Sequence, residues 1–400
     1  MPDYFVPGIY VVEESTGPRP ITAVGTSTAG FVGEVPMPKK GKPLARPKLI
    51  TNWSEFIRTF GEDGAKSTPL SLAVHGFFAN GGQRCFIAPI KGRSLVGTPQ
   101  APAGLDLLAL EDEVAIVAAP GFTDTASHEA LLSHCEQLGD RFAVLDGPET
   151  VEDLGSLARI AEARPRGGDD TPAGDGAALR PRMSDRGFGA FYFPWIVVDD
   201  PLAPGTLVNA PPSGHLAGVY ARVDGTRGVH KAPANEAIRG ALGLTRYVTR
   251  EEHAGLNLEG VNVIRSFARE GIRIWGARTL ADRTSNWRYI NVRRLFNQIE
   301  ESIAEGTRWV VFEPNNETLW KSITRDVSAF LMQFWRDGAL MGATPEEAFF
   351  VLCNAETNPP DVIEQGRVVV LVGIAPVKPA EFIVFRIGQH AAGPSTQGAE

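Results

Sequence analysis

Three groups of residues in this chain are of types that do chemistry in other proteins. The first is His128-Glu129 with His134, the ingredients of a metalloprotease helix. A zinc site of that kind needs its two histidines one helical turn apart, on one face. Here they are six residues apart. At about 3.6 residues per turn the second is rotated by roughly 600°, onto a different face. The second group is Gly25-Thr26-Ser27-Thr28-Ala29. A nucleophile elbow needs glycine where Ala29 stands, with a strand before and a helix after, so Ser27 is not read as a nucleophile. The third group is acidic: Asp146 and the pair Asp199-Asp200 end apolar runs. Functional groups often sit there in α/β enzymes, but aspartate is also common there for turn chemistry alone.

Nothing else adds to these. There is no GxxxxGK[ST] and no GxGxxG after a strand, and no histidine stands at metal-ligand spacing from another. Cys85, Cys135 and Cys353 each lie alone, an odd number unsuited to a disulfide framework and fitting a reducing compartment. No nucleophile, base and orienting group can be assembled. The sequence therefore points to no catalytic residue, cofactor or metal. With a net charge of −8 and no dense Lys/Arg cluster, it shows no nucleic-acid footprint. Residues 1–14 have neither the basic start nor the apolar run of a signal peptide, and no apolar stretch is long enough to cross a bilayer. Synthesis in the cytoplasm is the expectation.

A chain of 400 residues implies two or three domains. Residues 21–35 read as a first strand, and 53–60 as a short helix with Ser54 as a candidate N-cap. From about 113 the rhythm is α/β: apolar strands at 114–119, 141–145 and 188–198 alternate with helices at 126–138 and 151–163. Continuous apolar runs of this kind predict a mostly parallel sheet covered on both faces. A polar Gly/Pro-rich loop occupies 164–182. In the last third, Tyr289, Val292, Phe296, Ile299 and Ile303 form one helical stripe. Leu319/Trp320, Ile323, Val327, Phe330/Leu331 and Phe334/Trp335 form another, over 316–337. A strand is expected at 309–312. Thr344-Pro345-Glu346-Glu347 reads as a capped turn before a strand at 349–352.

The ends carry the most information. Residues 367–389 read RVVVLVGIAPVKPAEFIVFRIGQ, two strand-like runs separated by APVKPA. Val368, Val370, Val372 and Ile374 alternate with further apolar residues, so this strand should be central. Favoured hairpin turns use glycine or asparagine at positive φ, whereas Pro376 and Pro379 fix φ and extend their neighbours. The second run, Phe382, Ile383, Val384, Phe385, Arg386 and Ile387, is therefore expected to continue straight and leave its domain. At the other end Ile9, Tyr10, Val11 and Val12 form a similar run, set off by Pro7-Gly8 and by Gly17-Pro18-Arg19-Pro20. Two detached apolar strands suggest β-augmentation between subunits. If the acceptor is a different surface, the contact is head-to-tail and builds a ring or an open helix. Pairing of both strands within their own chain is the alternative.

At this point a family resemblance becomes specific. The opening PGIYVVEE, then PITAVGTSTAGFVG, resembles the N-terminal signature of tail sheath proteins of contractile phage tails and related injection particles. NVRRLFNQIEESI, VFEPNNETLW, FWRDGALMGATPEEAFFVLC and TNPPDVIEQGRVVVLVGIAPVKPAEFIVFRI follow in the family's order. The resemblance implies an α/β protein with several parts. These are an N-terminal arm (1–20), the N-terminal part of the body with a short β-rich segment (21–110), and an outer domain of subtilisin-like α/β topology without a triad (111–280). An α+β C-terminal domain facing an inner tube (281–378) and a C-terminal arm and tail (379–400) complete it. It implies donor strands at Ile9–Val12 and Phe382–Ile387, an acceptor at Val368–Ile374, and a tube contact through Lys321, Arg325 and Arg336. The implied partners are further copies in stacked hexameric rings, an inner tube protein, and baseplate and terminator proteins, with no nucleic acid and no membrane. The implied role is structural: a contractile sheath assembled in the bacterial cytoplasm and carried on a phage or a released particle. An α/β hydrolase-like enzyme and a shell or surface-layer protein are the competing classes.

Overall fold

The computed structural model describes residues 20–36, 46–61, 64–161 and 178–383. Along the chain run β1 (Ala29–Gly33), β2 (Lys48–Ile50), α1 (Trp53–Phe60), α2 (Pro69–Ala79) and β3 (Cys85–Pro89). A small ribbon, β4 (Val96–Thr98) and β5 (Ala101–Gly104), leads to α3 (Leu105–Leu108). Then come β6 (Ile116–Ala118), α4 (Thr125–Leu138), β7 (Phe142–Asp146), β8 (Gly189–Phe193), β9 (Ile196–Asp199), β10 (Leu207–Ala210) and α5 (Ser213–Arg227). β11 (Gly243–Leu244), α6 (Arg250–Leu258), β12 (Val261–Phe267) and β13 (Gly271–Trp275) finish the first unit. The second contains α7 (Ile290–Gly306), α8 (Glu317–Arg336), α9 (Pro345–Ala348), β14 (Phe349–Leu352), α10 (Pro360–Glu364) and β15 (Leu371–Ile374).

The first unit is built on one eight-stranded sheet of order β13-β12-β8-β7-β6-β1-β3-β2. Its strands run parallel from β12 to β3, and only the edge strands β13 and β2 pair antiparallel. Strand residues alternate between faces. Phe31, Ile116, Phe142, Val144 and Tyr192 meet Phe77 of α2 and Leu216, Val219 and Tyr220 of α5. Val32, Val117, Ala143, Leu145 and Phe191 meet Leu108 of α3, Leu131, Leu132 and Cys135 of α4 and Leu256 of α6. The covered parallel sheet expected from the apolar runs is present. Because β1, β2 and β3 belong to this sheet, no domain boundary falls between residues 110 and 111.

Helices α2 and α5 approach closely because small residues line their contact. A Cβ on Gly214 would stand 2.3 Å from Ala73, and one on Gly76 would stand 2.2 Å from the ring of His215. A third core joins the second unit: Leu295 and Ile299 of α7 pack with Trp320, Ile323, Val327, Phe330 and Leu331 of α8. The α8 stripe is therefore as expected. The α7 stripe is only part of the contact, since Asn291, Arg293, Arg294 and Asn297 are buried too.

Several local expectations are corrected. Helix α1 is capped by Asn52, whose side chain accepts the Glu55 N–H, and not by Ser54. The helix expected over 151–163 is a single 3-10 turn, Leu154–Ala158. The strand expected over 188–198 is broken into β8 and β9 at a cis Phe193–Pro194 peptide. Residues 309–312 are not a strand: a 3-10 turn spans Arg308–Val310. Phe312 then takes φ 70° and is fully exposed, because the chain must reverse there to start α8. Thr344 does not cap α9 through its side chain. Glu347 instead accepts the Ala343 N–H at 2.8 Å.

Candidate assembly surface

His128, Asp146, Asp199 and Asp200, among the residues first suspected of chemistry, are engaged in holding the fold. His128 is buried on α4, with Nε2 3.0 Å from the backbone oxygen of Asp146. Burial lowers its pKa to about 4. The Asp146 carboxylate accepts the Ser213 N–H at 2.8 Å, the Ser213 Oγ–H at 2.7 Å and the Gly121 N–H at 3.1 Å. Burial without a facing cation raises its pKa to about 6, against the pull of those donors. The Ser213 hydroxyl, at the start of α5, is thus spent on a carboxylate. Asp199 accepts the Gly205 N–H and Asp200 accepts the Leu202 N–H, which is turn chemistry. The three cysteines are buried. Among the described residues no cluster of His, Cys, Asp and Glu could hold a metal, and no helix is long and apolar enough to cross a membrane.

Of the edge candidates, the acceptor strand lies in the second unit. β14 and β15 form a two-stranded antiparallel sheet with Phe349 opposite Ile374, Phe350 opposite Gly373, Val351 opposite Val372 and Leu352 opposite Leu371. One face, with Phe349, Val351 and Ile374, packs on the α7–α8 core, as do Val368 and Val370 just before the strand. The other face is open: Phe350 is 58% and Leu371 49% exposed. The Phe350 ring lies over Gly373, where a Cβ would meet it at 2.2 Å. Of the acceptor residues, Val372 and Ile374 are thus in a ladder, while Val368 and Val370 lead into it. The strand expected to be central has a ladder partner on one side only among the described residues.

The link after β15 runs along its own body, because its backbone finds partners there. Ala375 N–H donates to Ala348 O (2.8 Å), Met341 N–H to Ala375 O (2.7 Å) and Val377 N–H to Ala339 O (3.1 Å). Asn291 Nδ2 donates to Val377 O at 3.1 Å. Glu381 then accepts from Arg278 Nε (2.9 Å) and Nη2 (2.8 Å), from Asn257 Nδ2 (3.1 Å) and from the Tyr289 hydroxyl (3.3 Å). Burial alone would raise the pKa of Glu381; the Arg278 fork and the other donors outweigh it and hold the carboxyl below the usual range. Beyond it Phe382 is 75% and Ile383 73% exposed, and neither is in a ladder. The segment 378–383 also walls a cavity of about 1130 Å³ lined on its other sides by Arg250, His253, Arg265 and Trp275. The donor residues Val384, Phe385, Arg386 and Ile387, and Ile9, Tyr10, Val11 and Val12, lie outside the described residues.

Lys321, Arg325 and Arg336 stand on the exposed side of α8, opposite its apolar stripe. Lys321 pairs with Glu317 at 3.2 Å and Arg325 with Asp326 at 2.9 Å. The helix therefore presents a stripe whose charge is only partly compensated. One contact that the sequence did not reveal joins the two units. Arg294 of α7 holds Asp224 of α5 through both guanidinium nitrogens, at 3.0 and 2.6 Å, and donates to Thr26 O at 2.9 Å. Thr26 Oγ1 donates to the same carboxylate, and the guanidinium lies over the Tyr220 ring. Both charged side chains are almost fully buried. No spacing rule pairs residues 224 and 294.

These features include a two-stranded sheet with an open apolar face. Residues 182–280 match the phage tail sheath protein central domain and 282–389 the phage tail sheath C-terminal domain. The chain is similar to the sheath of an extracellular contractile injection system, PVC, solved in the contracted state. The identity is 30%, the coverage 98% of this chain and 99% of that one, and the TM-score 0.76. It is also similar to the helical sheath of the anti-feeding prophage in the contracted state, at 30% identity, 97% and 100% coverage and a TM-score of 0.73. A putative prophage major tail sheath protein of Pseudomonas aeruginosa strain UCBPP-PA14 is 25% identical over 96% of each chain. The chain belongs to the contractile tail sheath protein family, and its role is that of a structural sheath protein.

Proposed function

We propose that copies of this chain polymerise as stacked rings around an inner tube, joined by exchanged strands, and that contraction of the polymer drives the tube through a target envelope. The observation that carries this reading is the β14–β15 sheet. A two-stranded sheet is marginal alone, this one keeps an open apolar face, and Phe382 and Ile383 after Glu381 are exposed. Strands Phe382–Ile387 of one copy and Ile9–Val12 of another would complete it by β-augmentation. Acceptor and donor are different surfaces, so the contact is heterologous and propagates. The exposed stripe of Lys321, Arg325 and Arg336 would meet the tube, and the ends of the polymer would meet baseplate and terminator proteins. The subunit works without catalysis, and Asp146 and Ser213 act only in folding. The particle, a phage tail or a released injection device, is assembled in the cytoplasm.

The test is negative-stain microscopy of the purified full chain and of two truncations, one lacking residues 1–14 and one lacking 382–400. Tubes of stacked rings from the full chain, with monomers from both truncations, support the reading. Tubes from both truncations refute strand exchange; closed shells or flat sheets from the full chain refute the sheath.

A further inference from the structure

We infer that the Glu381 clamp is the fixed root of the C-terminal arm: Arg278, Asn257 and Tyr289 are positioning residues that set where the donor strand starts, and the joint lies just beyond, at Phe382–Ile383. The inference rests on the strand-exchange reading and adds to it a defined origin for the arm.

The clamp gathers three separate parts of the body. Asn257 belongs to α6, Arg278 follows β13, and Tyr289 is the N-cap position of α7. Arg278 is itself held in place. Its Nη1 donates to Asn257 O at 2.9 Å and its backbone N–H to Asn262 Oδ1 at 2.8 Å, so the guanidinium fork is already aimed before Glu381 arrives. Both members of the pair are mostly buried, at 11% and 17% side-chain exposure. A two-pronged Arg–carboxylate contact fixes orientation as well as distance, and a partly buried one resists competition from water better than a surface pair. One residue later the chain has no bond to the body: Phe382 and Ile383 jump to 75% and 73% exposure.

Geometry gives this contrast a consequence. A donor strand over 382–387 reaches about 20 Å at roughly 3.3 Å per residue. If the clamp were absent, the last tie to the body would be Val377, and residues 378–381 would add about 13 Å of slack. That slack exceeds the two-residue repeat that sets which side chains face a sheet. A neighbour joined by a slack arm is held loosely; one joined from a fixed root is held at a set distance. The proline link is thus part of the body, and the span begins after Glu381.

The test uses the full chain with a nitroxide on a cysteine introduced at Ala380, before the joint, or at Ile383, beyond it. The native cysteines are all buried. In unassembled subunits the label at 380 is expected to be as slow as the body and the label at 383 to show nanosecond mobility. Glu381→Gln is expected to shift the label at 380 to the spectrum of 383. Arg278→Lys, which keeps the charge but removes the fork, should do the same, with far-UV circular dichroism unchanged in both. A label at 380 that is already mobile in the parent chain, or one that stays slow in both variants, overturns the inference. The subunit measurement needs no polymer. If the full chain forms no tubes while the label at 380 is slow and is released by Glu381→Gln, the root stands and the sheath reading falls. In tubes, the variants are expected to give irregular ring spacing; spacing identical to the parent overturns the positioning role.

Discussion

His215 offers a quantitative test of the α2–α5 contact. Its ring is wedged against Gly76, 3% exposed, and its Nδ1 has no hydrogen-bond partner. Burial, reinforced by His75 on the facing helix, lowers its pKa from 6.5 to about 3. The native state therefore refuses a proton that the unfolded chain accepts below its ordinary value. Stability from this group is intact above pH 6.5 and falls as the pH drops through the window down to about 3. The whole gap corresponds to about 5 kcal/mol, of which about 2 kcal/mol is lost by pH 5. His128, lowered to about 4, removes a similar about 2 kcal/mol by the same pH. Asp146 works the other way. Its pKa is raised to about 6, so protonation favours the native state as the pH falls and returns about 1 kcal/mol by pH 5. His215→Leu removes one contributor while nearly conserving volume and discards a buried nitrogen without a partner. The variant is expected to be at least as stable as the parent near neutrality. Urea unfolding of parent and variant at about pH 7.5 and pH 5 should show the parent losing about 2 kcal/mol more than the variant. Equal losses in the two proteins would mean that His215 is not held neutral, and the wedged geometry would be wrong.

Two further perturbations separate folding from assembly. Asp224→Asn leaves Arg294 buried without its counter-charge and is expected to cost about 3 to 5 kcal/mol, read as a lower denaturant midpoint; a loss under about 1 kcal/mol would show that the joint between the units is held by packing alone. Changing Lys321, Arg325 and Arg336 together to glutamate should leave thermal unfolding within about 1 kcal/mol of the parent, because these side chains lie on the open side of α8. Co-sedimentation of the triple variant with tube protein should be abolished; undiminished binding would remove α8 as the tube-facing element.

How much of this was legible in the sequence follows from the range of the interactions. Helix α8 could be read at once, since its stripe from Leu319 to Trp335 is a local pattern and one face meets one core. The parallel sheet was legible from apolar runs such as 114–119, although that pattern cannot say which strands are neighbours. β1 and β3 come from the first hundred residues yet lie between β6 and β2, and no local signal reports this. Helix α5 escaped notice because it is buried on most sides and shows no stripe; its sequence instead carries Gly214 and Gly218, whose purpose appears only when α2 is placed against them. The α7 stripe is only part of its contact, with Arg293 and Arg294 buried beside it, because α7 packs against both units and not one. The prolines at 376 and 379 argue against a tight hairpin. They did not reveal that Ala339, Ala348 and Asn291 would bind the link to its own body, since those partners are distant in sequence.

One strand end shows an acid of the α/β body engaged in holding the fold. In open parallel sheets, ligands bind where the strands' carboxyl ends leave a crevice. Here the end of β7 points Asp146 at the first turn of α5, and the Ser213 N–H and hydroxyl fill the carboxylate's bonding capacity along with Gly121. A carboxylate at a helix N-terminus is favoured by the exposed N–H groups and the dipole, so the acid that an enzyme would turn toward a substrate here joins β7, α5 and the loop after β6. The Arg294–Asp224 pair then fastens α5 to α7, which extends the rigid body into the second unit, and the Glu381 clamp extends it to the root of the arm. The buried charges in this chain of contacts tie the subunit together, and the exposed Phe382 and Ile383 follow where it ends. On the proposed strand exchange, a body that moves as one piece and is joined to its neighbours through strands can change its packing angle without breaking the ladders, because a strand ladder resists separation while the extended chain between root and ladder turns. The proposed contraction therefore asks for compliance at Phe382–Ile383 and for none within the subunit, which is how the burial and the hydrogen bonds are distributed.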